Sequence, residues 1–294
     1  MLAARRKRNF GMEWQRSLIL VGASAVAGAV NSVAGGGTLL TFPALLWAGQ
    51  SALIANATSA VALWPGQVSS LWGYRREIGR ERSAVLTLGG ASFVGGIIGA
   101  LLLLSTNPKT FERIVPFLLL AATALFMVQE PVSRWLRSRV PAPASVAETP
   151  LADAQVAPAP ENYTVPAPPE NNAATVSLTV AAAIQVVIAI YGGYFGAGAG
   201  ILMLTALGLM GYTNIHQMNG LKNLNAAILN GIAALIFIGK GLVDWRLALL
   251  MAGGSVVGGL TGAGTARRIG QKNVRRIIIG IGFALTIYLL ARQF

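Results

Sequence analysis

A single lysine interrupts one of the longest apolar runs of the chain. Lys222 lies within residues 216–238, and its neighbours Asn219, Asn223, Asn225 and Asn230 add uncharged hydrogen-bond donors. A lysine at the centre of a membrane helix costs about 2.5–3.5 kcal/mol to insert, so its presence there needs a reason. Either the side chain extends to the lipid headgroups, or it points into the protein and binds an anion. The second interpretation predicts a charged contact for a substrate.

Two glycine-rich segments could present backbone N–H groups to the same anion. Gly35, Gly36 and Gly37 follow the first apolar run, and Gly198 and Gly200 follow a later one. No strand precedes either segment, and neither has the spacing of a nucleotide-binding loop. As helix breaks they could expose N–H groups to a ligand. As small residues they could instead serve only close helix packing.

The inventory of reactive residues excludes several kinds of chemistry. The chain has no cysteine and one histidine, which excludes a disulfide framework and a zinc site of the usual kind. All ten carboxylates lie outside the apolar runs or at their ends, whereas a proton relay or a cation pathway usually has one at membrane depth. With no carboxylate pair, histidine cluster or activated nucleophile, the sequence predicts neither an enzyme nor a bound cofactor.

The elements that carry these residues are predicted to be membrane helices. Hydrophobic residues make up 54% of the 294 residues and charged residues only 11%, with a mean hydropathy of +0.61. The net charge of +13 comes from basic clusters at the ends of apolar runs, which is a topology signal rather than a nucleic-acid-binding surface. The predicted fold class is an all-α polytopic membrane protein. The apolar runs are 17–34, 54–74, 84–104, 111–129, 176–195, 216–238, 247–266 and 274–291.

The two halves of the chain resemble each other. A shift of 163 positions aligns residues 34–123 with 197–286 without a gap. In each half a glycine break precedes a short apolar piece, at 38–48 and 201–210, that is about 16 Å long and cannot cross a bilayer alone. Paired broken segments of this kind indicate a substrate site at the middle of the membrane. The sequence therefore predicts two homologous repeats with half-helices, related by inversion.

The first half offers uncharged donors where the second half offers Lys222. Asn56 aligns with Asn219 and Ser59 aligns with Lys222, and Thr58 lies between them in the first half. Together the two sets predict one donor-rich pocket about a pseudo-two-fold axis, suited to a small oxyanion. Four further polar residues in apolar surroundings, Gln67, Gln185, His216 and Asn230, could form interhelical hydrogen bonds or contact a ligand.

Smaller signals concern packing and chain breaks. The small-residue stripes at 91, 95 and 99 and at 254, 258 and 262 are predicted to pack helices together. Pro43 and Pro65 are expected to kink or break their helices.

The organisation follows from these patterns. We predict a basic tail at 1–16, a first membrane repeat at 17–130, a Pro-rich acidic linker at 131–175 and a second repeat at 176–294. In the first repeat the loop at 75–82 has four basic residues and the next loop, 109–113, has two, whereas the equivalent loops of the second repeat have two and five. This exchange favours inversion, and either relation between the repeats places the linker in the cytoplasm. The cluster 5–8 argues the other way, so a parallel repeat stays open.

At these residues the sequence resembles the sulfite exporter TauE/SafE family of bacterial membrane permeases. The matching features are Ala34-Gly35-Gly36-Gly37-x-Leu39-x₃-Pro43, the stretch 56–59 and the duplicated architecture, which together cover about 18–130 and 176–291. The resemblance implies transport of sulfite, sulfonates or related organic anions across the cytoplasmic membrane. The chain departs from the pattern in having Ala206 at the position equivalent to Pro43 and in its long linker.

These observations favour a secondary transporter for a small anion, working by alternating access at the repeat interface. An anion channel or a membrane scaffold subunit without a transport cycle is the alternative. The expected partners are the anionic substrate and the lipid bilayer, and not nucleic acid. Proton coupling and a homodimer stay open.

Overall fold

A computed structural model describes residues 2–79, 81–139, 177–212, 214–269 and 271–293 of the chain. All regular secondary structure in these ranges is α-helical, as the composition predicts. Four of the described helices contain a segment long and apolar enough to cross a membrane, namely 14–33, 82–105, 108–128 and 215–239. The helices are α1 (Leu2–Val33), α2 (Thr38–Trp47), α3 (Ala52–Ile78), α4 (Arg82–Ser105), α5 (Pro108–Arg139), α6 (Leu178–Tyr194), α7 (Ala199–Leu209), α8 (Ile215–Gly239), α9 (Trp245–Ile269) and α10 (Gln271–Gln293).

Several boundaries differ from those predicted. Helix α1 begins at Leu2, so the basic tail continues directly into the first apolar run. Helix α5 continues to Arg139, so the first part of the predicted linker is helical, and the rest of that linker lies outside the described residues. Pro43 and Pro65 lie inside α2 and α3 without ending either helix, so neither breaks its helix as one expectation held.

Helices α1 and α2 form an antiparallel hairpin. Near its tip, Gly37 N donates to Asn31 Oδ1 at 2.7 Å. At its open end the guanidinium of Arg16 lies over the ring of Trp47, 5.8 Å from the centroid. The tip turns through Gly35 and Gly36, whose φ angles of 80° and 90° are left-handed and suit glycine.

Helices α6 and α7 form a second antiparallel hairpin. Its tip turns through Gly196 and Gly198, with φ angles of 80° and 82°. Tyr191 Oη donates to Ala197 O at 2.5 Å beside the tip, and Ala181 packs in one cluster with Leu207 nearer the open end.

Helices α3 and α8 cross antiparallel at the centre of the molecule. At one end of the pair, Gln50 Nε2 donates to Asp244 Oδ2 at 2.8 Å, and at the other end Tyr212 Oη donates to Glu81 Oε2 at 3.0 Å. We call these the Gln50 end and the Tyr212 end. Burial and the Glu81 carboxylate both raise the pKa of Tyr212 above its usual range, so the phenol stays a donor at neutral pH.

The middle of the α3–α8 crossing is held by two hydrogen bonds. Trp64 Nε1 donates to Ala227 O at 3.0 Å, and Asn230 Nδ2 donates to Gln67 Oε1 at 3.1 Å. In each bond the two residues are 163 positions apart. That spacing is the same shift that aligns the two halves of the sequence.

The small-residue stripes lie where helices approach most closely, so their predicted packing role is confirmed. An added Cβ on Gly258 would strike the backbone of Ala25, and one on Gly262 would meet Ala29 further along both helices. Because the contact moves towards the C-terminus of both helices at once, α1 and α9 are parallel. The same relation holds for Gly95 and Gly99 of α4 against α6.

These directions place the two hairpins at opposite ends. Helix α9 begins just after Asp244, so the α1–α2 hairpin opens at the Gln50 end. Helix α4 begins next to Glu81, so the α6–α7 hairpin opens at the Tyr212 end. The two hairpins therefore enter the bundle from opposite directions and point towards each other.

Candidate functional site

The two hairpin tips touch each other beside Lys222. A Cβ built on Gly35 would lie 2.8 Å from Gly200 Cα, and one built on Gly200 would lie 3.4 Å from Lys222 Cδ. The fold thus brings together two glycines and the lysine that the sequence places far apart. Only glycine permits this approach of backbone to backbone.

Lys222 is buried and caps the end of α1. Its side chain is 1% exposed, and Nζ donates to Asn31 O at 2.7 Å. The next residue, Asn223, donates from Nδ2 to Ser32 O at 3.0 Å. Both acceptors are carbonyls of the last turn of α1, the negative end of its dipole. A lysine in this position does not extend to the headgroups.

The charge of Lys222 has no acidic counterpart nearby. Within the described ranges, no carboxylate lies within ion-pair distance of its ammonium group. Its compensation comes from a neutral carbonyl and a helix dipole, which together balance only part of a full charge. Such a buried cation is a ready partner for an anion.

Two of the five glycine N–H groups singled out in the sequence donate hydrogen bonds within the protein. Gly35 N donates to Val30 O at 3.1 Å, and Gly37 N donates to Asn31 Oδ1. Gly36 faces the ring of Phe126 on α5, and a Cβ on Gly198 would lie 3.6 Å from Ala122 of the same helix. Gly36 and Gly198 therefore pack against α5, whereas Gly35 and Gly200 form the contact between the tips.

The donors of the first half lie at a different place from Lys222. Asn56 Nδ2 donates to Tyr194 O at 3.0 Å, at the end of α6. Thr58 Oγ1 accepts from Asp244 N at 3.1 Å, towards the Gln50 end. Ser59 Oγ shares a hydrogen bond of 2.5 Å with Thr41 Oγ1 of α2. In this conformation Asn56 thus caps the end of α6 and Lys222 caps the end of α1, so the two predicted donor sets do not line one pocket.

Asn219 is buried beside Lys222 with unused hydrogen-bonding capacity. Its side chain is 4% exposed, and Oδ1 has no hydrogen-bond partner. No other buried side-chain nitrogen or oxygen in the described part of the chain lacks a hydrogen-bond partner. A buried polar atom without a partner is costly, which makes it a candidate ligand contact.

A small cavity lies between the end of α6 and the α3–α8 crossing. Its free volume of about 10 Å³ accommodates roughly one water molecule. Polar and apolar side chains from three helices line it, together with residues at the end of α6. The polar lining residues are Thr38, Asn56, Gln67 and Asn230, the apolar ones are Ala60, Leu63, Ala233 and Phe237, and Gly192, Gly193, Phe195 and Gly196 complete the lining.

The remaining polar residues have distinct roles. Gln67 and Asn230 form an interhelical bond and also line the cavity. Gln185 Nε2 donates to Ser92 Oγ at 2.8 Å, so it joins α6 to α4. His216 is exposed at the start of α8, where the Asn214 side chain caps the helix, so it does not lie in apolar surroundings as the sequence suggested.

Sequence reasoning missed Asn31, Thr38 and Thr41. Asn31 uses its carbonyl oxygen and Oδ1 to hold Lys222 and Gly37, and Thr38 lines the cavity. Each is a polar residue within six positions of the first glycine break. A polar residue beside a predicted helix break is the signal that could have identified them.

Comparison with known proteins identifies the family. A profile described as sulfite exporter TauE/SafE matches residues 20–289, nearly the whole chain. This chain belongs to the sulfite exporter TauE/SafE family. It is therefore a membrane protein of a permease family, as the glycine motif and the duplication predicted. No protein of solved structure matches it significantly.

Curated relatives cover almost the same length. A Sinorhizobium protein named "Probable membrane transporter protein ORF9" is 28% identical over 271 residues, covering 92% of this chain and 90% of its own. An Escherichia coli K12 protein named "Probable membrane transporter protein YfcA" is 26% identical over 274 residues, covering 92% and 88%. A Haemophilus influenzae "Probable membrane transporter protein" is 25% identical over 271 residues, covering 91% and 92%.

Proposed function

We propose that this protein is a secondary transporter for a small oxyanion of the sulfite or sulfonate class, working by alternating access. Family membership and the names of relatives of matching length support a membrane permease. The observation that carries the choice of an anion is Lys222, a buried cation with no carboxylate in range among the described residues. A poorly hydrated ammonium binds an oxyanion through a charge-assisted hydrogen bond.

Asn31 supports this assignment because its oxygens accept hydrogen bonds from the donors that we expect to bind an oxyanion. Two of its oxygens, O and Oδ1, accept from Lys222 Nζ and from Gly37 N, both at 2.7 Å. In the proposed cycle the tips of the hairpins separate, and substrate oxygens replace those of Asn31. Asn219 and Asn223 flank the ammonium and complete this side of the site.

The donors of the first half form the proposed second side. Asn56, Thr58 and Ser59 lie in the part of α3 towards the Gln50 end. Gly35 and Gly200 separate these donors from Lys222 while the tips touch. A substrate passing between the tips would leave one donor set and meet the other, which is the order of events that alternating access requires.

The proposed mechanism rests on two inverted repeats. Support comes from the bonds at the α3–α8 crossing, which join positions 163 apart, and from the hairpins that enter from opposite ends. In each half the hairpin enters and leaves at the same end, and three long helices then cross the bundle. Because three is an odd number, the second half starts at the opposite end and is inverted relative to the first. We therefore propose that the Tyr212 end, which carries the basic clusters, faces the bacterial cytoplasm. These clusters are at 75–82, 134–139 and 267–276, whereas the cluster at 5–8 lies at the start of α1, towards the other end.

The decisive experiment measures sulfite binding and counterflow in proteoliposomes. We expect Lys222→Gln to weaken sulfite binding roughly ten- to a hundredfold, because a charge-assisted contact contributes about 1.5–3 kcal/mol. Lys222→Arg should restore part of the binding, since its planar fork presents donors in another geometry. Trans sulfite should accelerate uptake by the parent protein, which a channel cannot do.

The matched controls are lysines outside the site. Lys109 and Lys240 are exposed, so Lys109→Gln and Lys240→Gln should bind sulfite like the parent. If Lys222→Gln also exchanges sulfite at the parental rate and affinity, the lysine has no role in the anion site and the proposal fails.

A further inference from the structure

The last turns of α1 and α6 are built alike but capped differently. Val30 O and Tyr191 O, each fourth from the end of its helix, both accept two backbone N–H groups from the turn that follows. The next carbonyl of α1, Asn31 O, accepts Lys222 Nζ. The next carbonyl of α6, Gly192 O, accepts no hydrogen bond within the described part of the chain.

The difference follows from one aligned pair of residues. Both helix ends carry the negative pole of a helix dipole, which favours a cation. The second half supplies a tethered cation, Lys222, to the end of α1. The first half has Ser59 at the aligned position, and its hydroxyl bonds to Thr41 instead. The end of α6 therefore has no side-chain ammonium to match the one on α1.

Oxygen atoms converge on the space beside the end of α6. A Cβ built on Gly196 would lie 3.2 Å from Gly192 O, 3.7 Å from Thr38 Oγ1 and 3.9 Å from Asn230 Oδ1. These three oxygens come from α6, α2 and α8 and surround one point. Asn56, Gln67 and four apolar residues also line the cavity at this point, and its lining contains no lysine or arginine among the residues that the structure describes.

We propose that this cavity is a sodium site, with Gly192 O, Thr38 Oγ1 and Asn230 Oδ1 as ligands. Neutral hydroxyl, amide and backbone oxygens at the C-terminal end of a broken helix suit a hard monovalent cation. A volume fit for one water molecule also fits one dehydrated ion. The absence of a carboxylate at membrane depth does not argue against such a site, because its ligands are uncharged.

The position of the site gives sodium a structural consequence. An ion bound there joins the α6–α7 hairpin to α2 of the other hairpin and to the central helix α8. It would hold the two hairpins together at this point. Coupling of sodium to anion movement rests on the proposed function, but binding of sodium does not.

The test is the thermal stability of the purified protein without any anionic substrate analogue. Sodium chloride is compared with potassium chloride and choline chloride at equal ionic strength. A ligand that binds only the native state raises Tm with the logarithm of its concentration. We expect a sodium-specific rise of at least about 2 °C at saturation. An equal rise with potassium and choline would overturn the site.

Two threonine variants make the test specific. Thr38→Val removes one ligand oxygen at constant shape and should abolish the sodium increment. Thr205→Val is the matched control, because Thr205 Oγ1 only donates to Ile201 O of its own helix, at 3.0 Å, and should keep the increment. Thr38→Ser retains the oxygen and should also keep the sodium increment, which separates loss of a ligand from loss of fold. A sodium increment that persists in Thr38→Val would show that sodium binds elsewhere and would overturn this site.

The outcome is independent of the anion experiment. A sodium increment in a protein that fails to exchange sulfite would leave the cation site standing and remove the anion assignment. If both hold, a sodium gradient should drive sulfite uptake in proteoliposomes, and a proton gradient alone should not.

Discussion

Gly35 and Gly200 each lie against the backbone of the other, so the tips can touch only because neither residue has a side chain. A methyl group on either residue would intrude on the opposite tip, and Gly35 also has a left-handed φ of 80°. At the scale of the residue, the site depends first on the small size of these two glycines and only then on the charge of Lys222. Lys222 can reach Asn31 O because the tips leave no side chain in its way.

We expect Gly35→Ala and Gly200→Ala to lower stability by about 1–3 kcal/mol through strain and overpacking. Both should also slow sulfite counterflow, because the occluded contact can no longer form. Denaturant unfolding in detergent micelles measures the first effect. Gly253→Ala is the control, since a Cβ there meets nothing within 4 Å. Parental stability in both tip variants would show that the tips do not touch in this way.

At the scale of elements, two close helix pairs surround the central crossing. Helices α1 and α9 approach through Gly254, Gly258 and Gly262, and α4 and α6 approach through Gly95 and Gly99. Lipid offers no hydrophobic drive for helix association, so close backbone packing has to supply it. These pairs fix the direction of each hairpin and therefore the position of each tip.

We predict that Gly258→Ala destabilises the α1–α9 pair by about 1–3 kcal/mol, because the added methyl meets the Ala25 backbone. Sulfite affinity at low temperature should change little, since Ala25 lies more than one helical turn before Asn31, the residue of α1 that holds Lys222. Thermal unfolding and equilibrium binding measured on one preparation separate these effects. Gly280→Ala is a suitable control, because a Cβ there has open space. A fall in affinity without a fall in Tm would contradict the packing role.

At the scale of the whole molecule, two hydrogen-bonded contacts close its opposite ends. Gln50 with Asp244 and Tyr212 with Glu81 join different halves of the chain, and the two carboxylates are aligned by the 163-position shift. In a transporter that opens at one end at a time, each contact would break in turn.

We expect Gln50→Leu and Tyr212→Phe to favour opening at opposite ends, since each removes one donor and keeps its carboxylate. The chain has no cysteine, so single reporter cysteines at the aligned positions Ala55 and Met218 can be labelled with a thiol reagent. Gln50→Leu should increase labelling at 55 alone, and Tyr212→Phe should increase labelling at 218 alone. Equal effects of both variants at both positions would contradict two separate gates.

The sequence by itself determined the all-helical fold class, the glycine-rich segments and the family. Hydropathy, glycine and helix length are local properties, and local properties can be read without knowing what packs against them. Lys222 could also be singled out, because a charge in an apolar run is conspicuous by itself. Asn31 and Thr38 could not, since one polar residue near a helix end looks like many others.

Only the tertiary structure decided which helix ends meet which side chains. The sequence predicted that Asn56, Thr58 and Ser59 share one pocket with Lys222. In the fold, Asn56 instead caps the end of α6 and Lys222 caps the end of α1. The physical reason is direction: aligned residues on two antiparallel helices move apart along the axis as they leave the crossing point. Alignment therefore predicts equivalence, but contact depends on helix crossing, which the linear sequence does not contain.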